Sequence, residues 1–167
     1  MGRRVTDHVP PAGLQLVEPR LALVTRIVVR LEPPRSLGQT PWGERRLVPI
    51  VGGEFDGPRL RGLVVPGGSD WQVIHADGMT TVDTRYALAT HDNALIYIAT
   101  RGVRWGPPET LARIFRGELV DPSEYYFRIA AQLETGAPAY TWVNRRLFVG
   151  SAARTADAVV YDLFQVD

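Results

Sequence analysis

The chain has 167 residues, 45% of them hydrophobic and 22% charged, and a net charge of +1. That is the makeup of one ordinary globular domain, with no electrostatic signature of a nucleic-acid or membrane binder. It has no cysteine, and all 19 basic residues are arginine, which excludes disulfides, thiolate nucleophiles, Cys-type metal sites, Schiff-base chemistry and lysine general bases.

Residues 1–19 hold three prolines and little periodicity, and they read as a flexible N-terminal arm ahead of a single domain at 20–167. They lack the apolar core of a signal peptide, and no apolar run in the chain reaches membrane-spanning length. A cytoplasmic protein is the expectation.

Arg20 to Leu31 is rich in β-branched residues and forms the first strand. Alternation puts Leu21, Leu23, Thr25, Ile27, Val29 and Leu31 on one face and Arg26 and Arg30 on the other. Ser36 to Glu44 reads as a turn-rich loop, and Arg45 to Val51 as a strand with an edge or bulge at Pro49. From Val51 to Trp71 glycines recur at 52, 53, 57, 62, 67 and 68. A chain that bends so often is being curled, as a sheet must be to close on itself.

Strands at Trp71–Ala76, Thr80–Thr90 and Ala94–Arg101 follow as an antiparallel meander. Its turns fall at Asp77-Gly78, a type I′ hairpin signal, and at His91-Asp92-Asn93. Pro107-Pro108 opens one short helix over 108–116, with Leu111, Ile114 and Phe115 at helical spacing and Gly117 as its stop. Further strands are predicted at Glu124–Leu133, Ala139–Gly150 and Ala158–Val166. About ten strands with a turn every eight to twelve residues define an all-β class, here a single antiparallel β-barrel with the helix over one end.

The candidate site comes from the last strands. Period two puts Tyr126 and Arg128 on one face and Tyr140, Trp142 and Asn144 on one face of the next strand. Pairing of the two strands would gather a phenol, a guanidinium, an amide and aromatic surface, the ingredients of a small-molecule pocket. Such a face can equally be the solvated one. Asp70 stands between a glycine pair and Trp71. Beside aromatic surface its pKa would rise and suit it to acid or base work, although Gly68-Ser69-Asp70 is also an ordinary turn. Glu134 caps a turn or faces the pocket mouth, and Asp83 and Arg85 read as a surface ion pair. The three histidines are scattered without ligand spacing, and no P-loop, dinucleotide fingerprint or nucleophile elbow is present. Neither metal nor cofactor is expected.

Several runs resemble the DUF3237 family, also called UPF0311: GERR at 43–46, GGEFDGP at 52–58, PGGSDW at 66–71, YYFR at 125–128 and WVN at 142–144. The likeness extends from Leu21 to Val166. It implies a calycin-like, lipocalin-like barrel and no agreed function, with family positions at Gly52, Gly53, Asp70, Trp71, Tyr126, Arg128, Trp142 and Asn144. Leu133 stands where phenylalanine is usual and Ile129 where threonine is usual, which takes any hydroxyl role from that position.

Three readings follow. In the first, a cofactor-independent isomerase, cyclase or lyase uses Asp70, Tyr126, Arg128 and Asn144 as catalytic groups. Trp71, Trp142, Glu134 and Tyr140 would then bind a small organic substrate. In the second, a non-catalytic carrier keeps Arg128 and the tryptophans for an anionic aromatic ligand. In the third, the barrel is filled by its own side chains, and its exposed edges support a homodimer.

Overall fold

The computed structural model describes residues 13–167; most of the expected N-terminal arm, residues 1–12, lies outside the described residues. Gly13 to Arg20 is exposed and forms no helix or strand. Nine antiparallel strands follow: β1 (Leu21–Leu31), β2 (Arg35–Thr40), β3 (Gly43–Asp56), β4 (Gly62–Ile74), β5 (Thr80–Thr90), β6 (Leu95–Trp105), β7 (Tyr126–Glu134), β8 (Leu147–Arg154) and β9 (Ala158–Val166). The sheet runs β1-β9-β8-β7-β6-β5-β4-β3-β2, and a second pairing of β1 with β3 closes eight of these strands into a barrel. β2 hangs outside as a hairpin partner of β3, where the sequence suggested a loop.

Closure depends on the glycine-rich stretch. The first half of β3 pairs with β4, with Leu47 opposite Trp71 and Val48 opposite Asp70. The second half pairs with β1, with Gly53 opposite Val29. There β1 takes the side that β2 holds along the first half, while β4 stays on the other side and pairs again, with Glu54 opposite Leu63 and Phe55 opposite Gly62. Gly52-Gly53, both at positive φ, lie in the irregular stretch of that ladder between Pro49 and Glu54. A Cβ on Gly53 would stand 1.9 Å from the Val28 carbonyl oxygen, so only glycine allows this approach. The predicted curl is thus real, but it lies within two long continuous strands.

Both meander turns are three-residue loops, so the one at Asp77-Gly78 is not the expected type I′ hairpin. Gly78 N donates to His75 O and Asn93 N donates to Thr90 O, and in each loop only the third residue, Gly78 or Asn93, has positive φ.

The inner faces carry one contiguous core that includes Ile27, Val48, Phe55, Leu88, Ile96, Ile98, Phe148 and Leu163. A bulge between Leu23 and Thr25 breaks the expected alternation of β1 and turns Leu21 and Leu23 outward. The helix α1 (Pro108–Phe115) joins β6 to β7 across one end and buries Leu111 and Ile114 against the core. At the other end Pro138–Arg145 forms a 3-10 helix where a strand was expected. Its buried residues are Tyr140 and Val143. They lie three apart, the period of a 3-10 helix and not of a strand. Side-chain ties hold this plug in place. Asn144 accepts from Thr135 N and donates to Thr135 O, both at 2.8 Å, and the Tyr140 phenol donates to Asp92 at 2.8 Å. Arg59 lies 3.6 Å over the Trp142 ring. Among the described residues no helix is long and apolar enough to cross a membrane.

Candidate functional site

The end covered by α1 is open beside that helix. A cleft of about 330 Å³ lies between α1 and the barrel rim, with Arg46, Gln72, Arg104, Phe115 and Arg154 in its wall. Strand alternation delivers the polar groups. Gln72 follows Asp70 on the inner face of β4, Arg104 ends the inner row Ile96, Ile98, Thr100 of β6, and Arg154 ends the row Phe148, Gly150, Ala152 of β8.

Asp70 is 5% exposed and lies inside the barrel. Gln72 Nε2 donates to its Oδ2 at 2.6 Å, and Thr84 Oγ1 donates to its Oδ1 at 2.8 Å. It lines a small interior void of about 30 Å³ together with Thr84, Tyr86, Thr100, Ile129 and Tyr161. That space can hold one water molecule. The cleft and the void share Leu31, and Gln72 in the cleft wall touches Asp70 in the void wall. Burial pushes the Asp70 pKa above the usual carboxylate value; the hydrogen bonds from Gln72 and Thr84 and the charges of Arg104 and Arg154 pull the other way.

Arg104 is 3% exposed. Its guanidinium carbon lies 5.5 Å from the Phe115 ring centre and 5.6 Å from that of Phe127. The aromatic faces offset part of the cost of burying the charge. Burial lowers its pKa to about 10, so it remains protonated at neutral pH, and burial also lowers that of Arg154. The Nε of Arg104 and the Nη1 of Arg154 are buried without a hydrogen-bond partner.

The chamber expected from alternation is not formed. On β7 it is Phe127, Ile129, Ala131 and Leu133 that point inward, while Tyr126, Arg128 and Glu134 are exposed on the outside. Arg128 donates to the Phe127 carbonyl and sits 5.3 Å from the Tyr126 ring. Trp71, beside Asp70 on β4, faces outward and is 40% exposed. Trp142, Tyr140 and Asn144 belong to the plug at the closed end, because their segment is helical. Of the eight expected site residues, Asp70 alone reaches the interior beneath the cleft. Asp83 and Arg85 do form the expected surface pair, at 2.7 Å.

Sequence reasoning missed Gln72, Arg104 and Arg154. The signal was present: an arginine continuing an apolar inward row is unusual. The strands predicted from sequence end at Arg101 and Gly150, before either arginine.

A closed eight-stranded antiparallel barrel with a polar, arginine-lined cleft at one end is the class that fold and site define. Residues 19–166 match the family described as "Protein of unknown function (DUF3237)", and the chain belongs to that family. A UPF0311 protein from Rhodopseudomonas palustris is 44% identical over 143 residues, covering 86% of this chain and 94% of the relative. The crystal structure of a conserved protein of unknown function from the same species superposes with a TM-score of 0.88 at 41% identity, covering 91% of this chain and all of the other. A β-barrel-like protein from Acinetobacter baumannii gives 0.81 at 41% identity, over 92% of this chain and 99% of that one. A barrel described as an enzyme from Penicillium herquei gives 0.68 at 20% identity, over 93% of this chain and 99% of that one, a likeness of fold alone.

Proposed function

We propose that the protein is a cofactor-independent enzyme of isomerase, cyclase or lyase type, moving a proton on a small carbonyl-bearing or anionic organic substrate bound in the cleft. One observation carries the reading. A buried carboxylate, Asp70, is fixed by two hydrogen bonds beneath a cleft whose wall holds the buried Arg104 and the half-buried Arg154. A carboxylate whose pKa is raised by burial is a better base when ionised and stays protonated further toward neutral pH. The positive charge of Arg104 and Arg154 stabilises the negative charge that develops on a carbonyl oxygen when its α-proton leaves. Gln72 stands between cleft and carboxylate, so the proton passes either when Gln72 swings aside or through one water in the void.

The carrier reading has less support. A carrier of the calyx type needs a deep hollow, and below Asp70 the barrel is packed by Phe55, Phe148, Ile98 and Leu163. The barrel described as an enzyme from Penicillium herquei has the same overall fold, which is consistent with catalysis and no more than that.

The test is proton exchange. The protein is incubated in D₂O with a panel of enolisable aryl ketones, aryl 1,3-diketones and phenylpyruvate, and loss of the α-proton signal is followed by NMR. Acceleration of at least one member, abolished in Asp70→Asn, is expected. No acceleration across the panel, or full acceleration in the variant, removes Asp70 as the proton-transfer group.

A further inference from the structure

One buried cation, Arg104, and one half-buried cation, Arg154, stand near one buried carboxylate in this barrel. Asp70 acts on both Arg104 and Arg154. The other arginines of the cleft wall are already neutralised, Arg46 by Glu44 at 2.9 Å and Arg116 by Glu118 at 2.8 Å. Asp157 on the rim also acts on Arg154, but it is exposed. Water screens that rim carboxylate, so at the inner end of the cleft Asp70 is the one buried carboxylate near the two guanidiniums among the described residues. Two donors are left over there, Arg104 Nε and Arg154 Nη1, both buried and unpartnered among the described residues. Leaving buried charge and buried N–H groups unpaired is among the most costly arrangements in a folded chain. Each guanidinium makes one other hydrogen bond, Arg104 to Thr80 Oγ1 and Arg154 to the Ala156 carbonyl, both at 3.4 Å, so one N–H on each is left to take an acceptor in the cleft.

We propose that the cleft binds a small aromatic carboxylate, whose two oxygens take the free N–H groups of Arg104 and Arg154 while its ring lies against Phe115. The charges suggest the valence: at the inner end two guanidiniums stand against one buried carboxylate, and with Asp157 screened at the rim a single further negative charge is the most that this end balances. A phosphate dianion would exceed it and bring repulsion toward Asp70. The planar, two-oxygen shape of a carboxylate suits guanidinium donors. The aromatic part follows from the rest of the wall, where Phe115 is 43% exposed and Leu31, Pro33, Pro34 and Ile114 supply apolar surface. The inference deepens the enzymatic reading by naming its substrate class and uses the same cleft, but it stands on the two arginines and not on proton transfer by Asp70.

The experiment is calorimetric titration of the full chain with 2-naphthoate, with 2-naphthamide as the neutral isostere, and with inorganic phosphate. Naphthoate should bind about tenfold or more tightly than the amide and than phosphate. Arg104→Met and Arg154→Met should each weaken naphthoate by about tenfold or more and leave the amide unchanged. Arg104→Met replaces a buried cation by an apolar chain while Arg154 stays beside Asp70, so it should melt at or above the wild-type temperature without ligand. If one does not fold, the other together with Arg104→Gln carries the comparison. Asp70→Asn should hold naphthoate as tightly as wild type or more tightly, since a like charge is gone. Equal affinity for acid and amide, tighter binding of phosphate, or unchanged naphthoate binding in the arginine variants overturns the proposal. Because naphthoate has no exchangeable α-proton, binding without any exchange in the NMR panel refutes the enzyme and leaves the anion site standing, and exchange without naphthoate selectivity does the reverse.

Discussion

The phenols of Tyr86 and Tyr161 are hydrogen-bonded to each other inside the barrel, although their strands, β5 and β9, share no ladder and lie on opposite sides of the closed sheet. Both side chains are buried, and burial pushes both phenols well above the ordinary tyrosine range. The pair is a strut across the barrel at the level of Asp70, in the wall of the same void.

Removing one hydroxyl strands the other. Tyr86→Phe and Tyr161→Phe are each expected to cost about 1–3 kcal/mol, the price of a buried polar group without a partner. The double variant should cost less than the sum of the two, because no hydroxyl is then left unpaired. Denaturant unfolding of the four proteins measures this coupling. Strict additivity would show that the phenols do not depend on each other.

The raised pKa of Asp70 makes a stability prediction with a definite sign. Its folded-state pKa lies above its unfolded value of about 3.8, so the folded chain binds the proton more tightly. That contribution is whole below the unfolded value and is lost as pH rises through the raised one. Asp70→Asn does not titrate. Its melting temperature relative to wild type should therefore climb as pH rises from about 3 into the range above the shifted pKa. Melting curves across that window check it, and a constant difference would mean that Asp70 is not perturbed by burial.

Arg128 and Asn144 separate the chamber expected from alternation from the arrangement found. Arg128 is exposed and bonded only to a neighbouring carbonyl. Arg128→Met should change stability by less than about 0.5 kcal/mol and leave naphthoate binding as it was. Asn144→Ala removes both bonds to the Thr135 backbone and should cost about 1–3 kcal/mol. Naphthoate affinity of the folded fraction should not change, since the plug is at the closed end. Chemical denaturation and the same titration decide both. Loss of binding in Arg128→Met would put the ligand on the outer face of β7.

Much of the architecture was legible in the residues. Apolar alternation in Thr80–Thr90, the proline-to-glycine limits of α1 and the glycines of the curl are local signals, and the barrel follows from them because each records a backbone preference or a buried face. The plug was not legible. Tyr140, Trp142 and Asn144 alternate as a strand would, and only contacts with Arg59, Asp92 and Thr135, far along the chain or reached through a turn, hold that segment as a helix.

The site divides in the same way. The sequence by itself excluded cysteine and lysine chemistry, and it marked Asp70 as a candidate. Which arginines meet that carboxylate was decided only by closure of the barrel. Arg104 and Arg154 lie on different strands, fifty residues apart, and come to one cleft because β6 and β8 both end at the rim that α1 leaves open. Alternation assigns a side chain to one of two faces, but the curvature of the whole sheet decides which face is inside, and that is a property of no single strand.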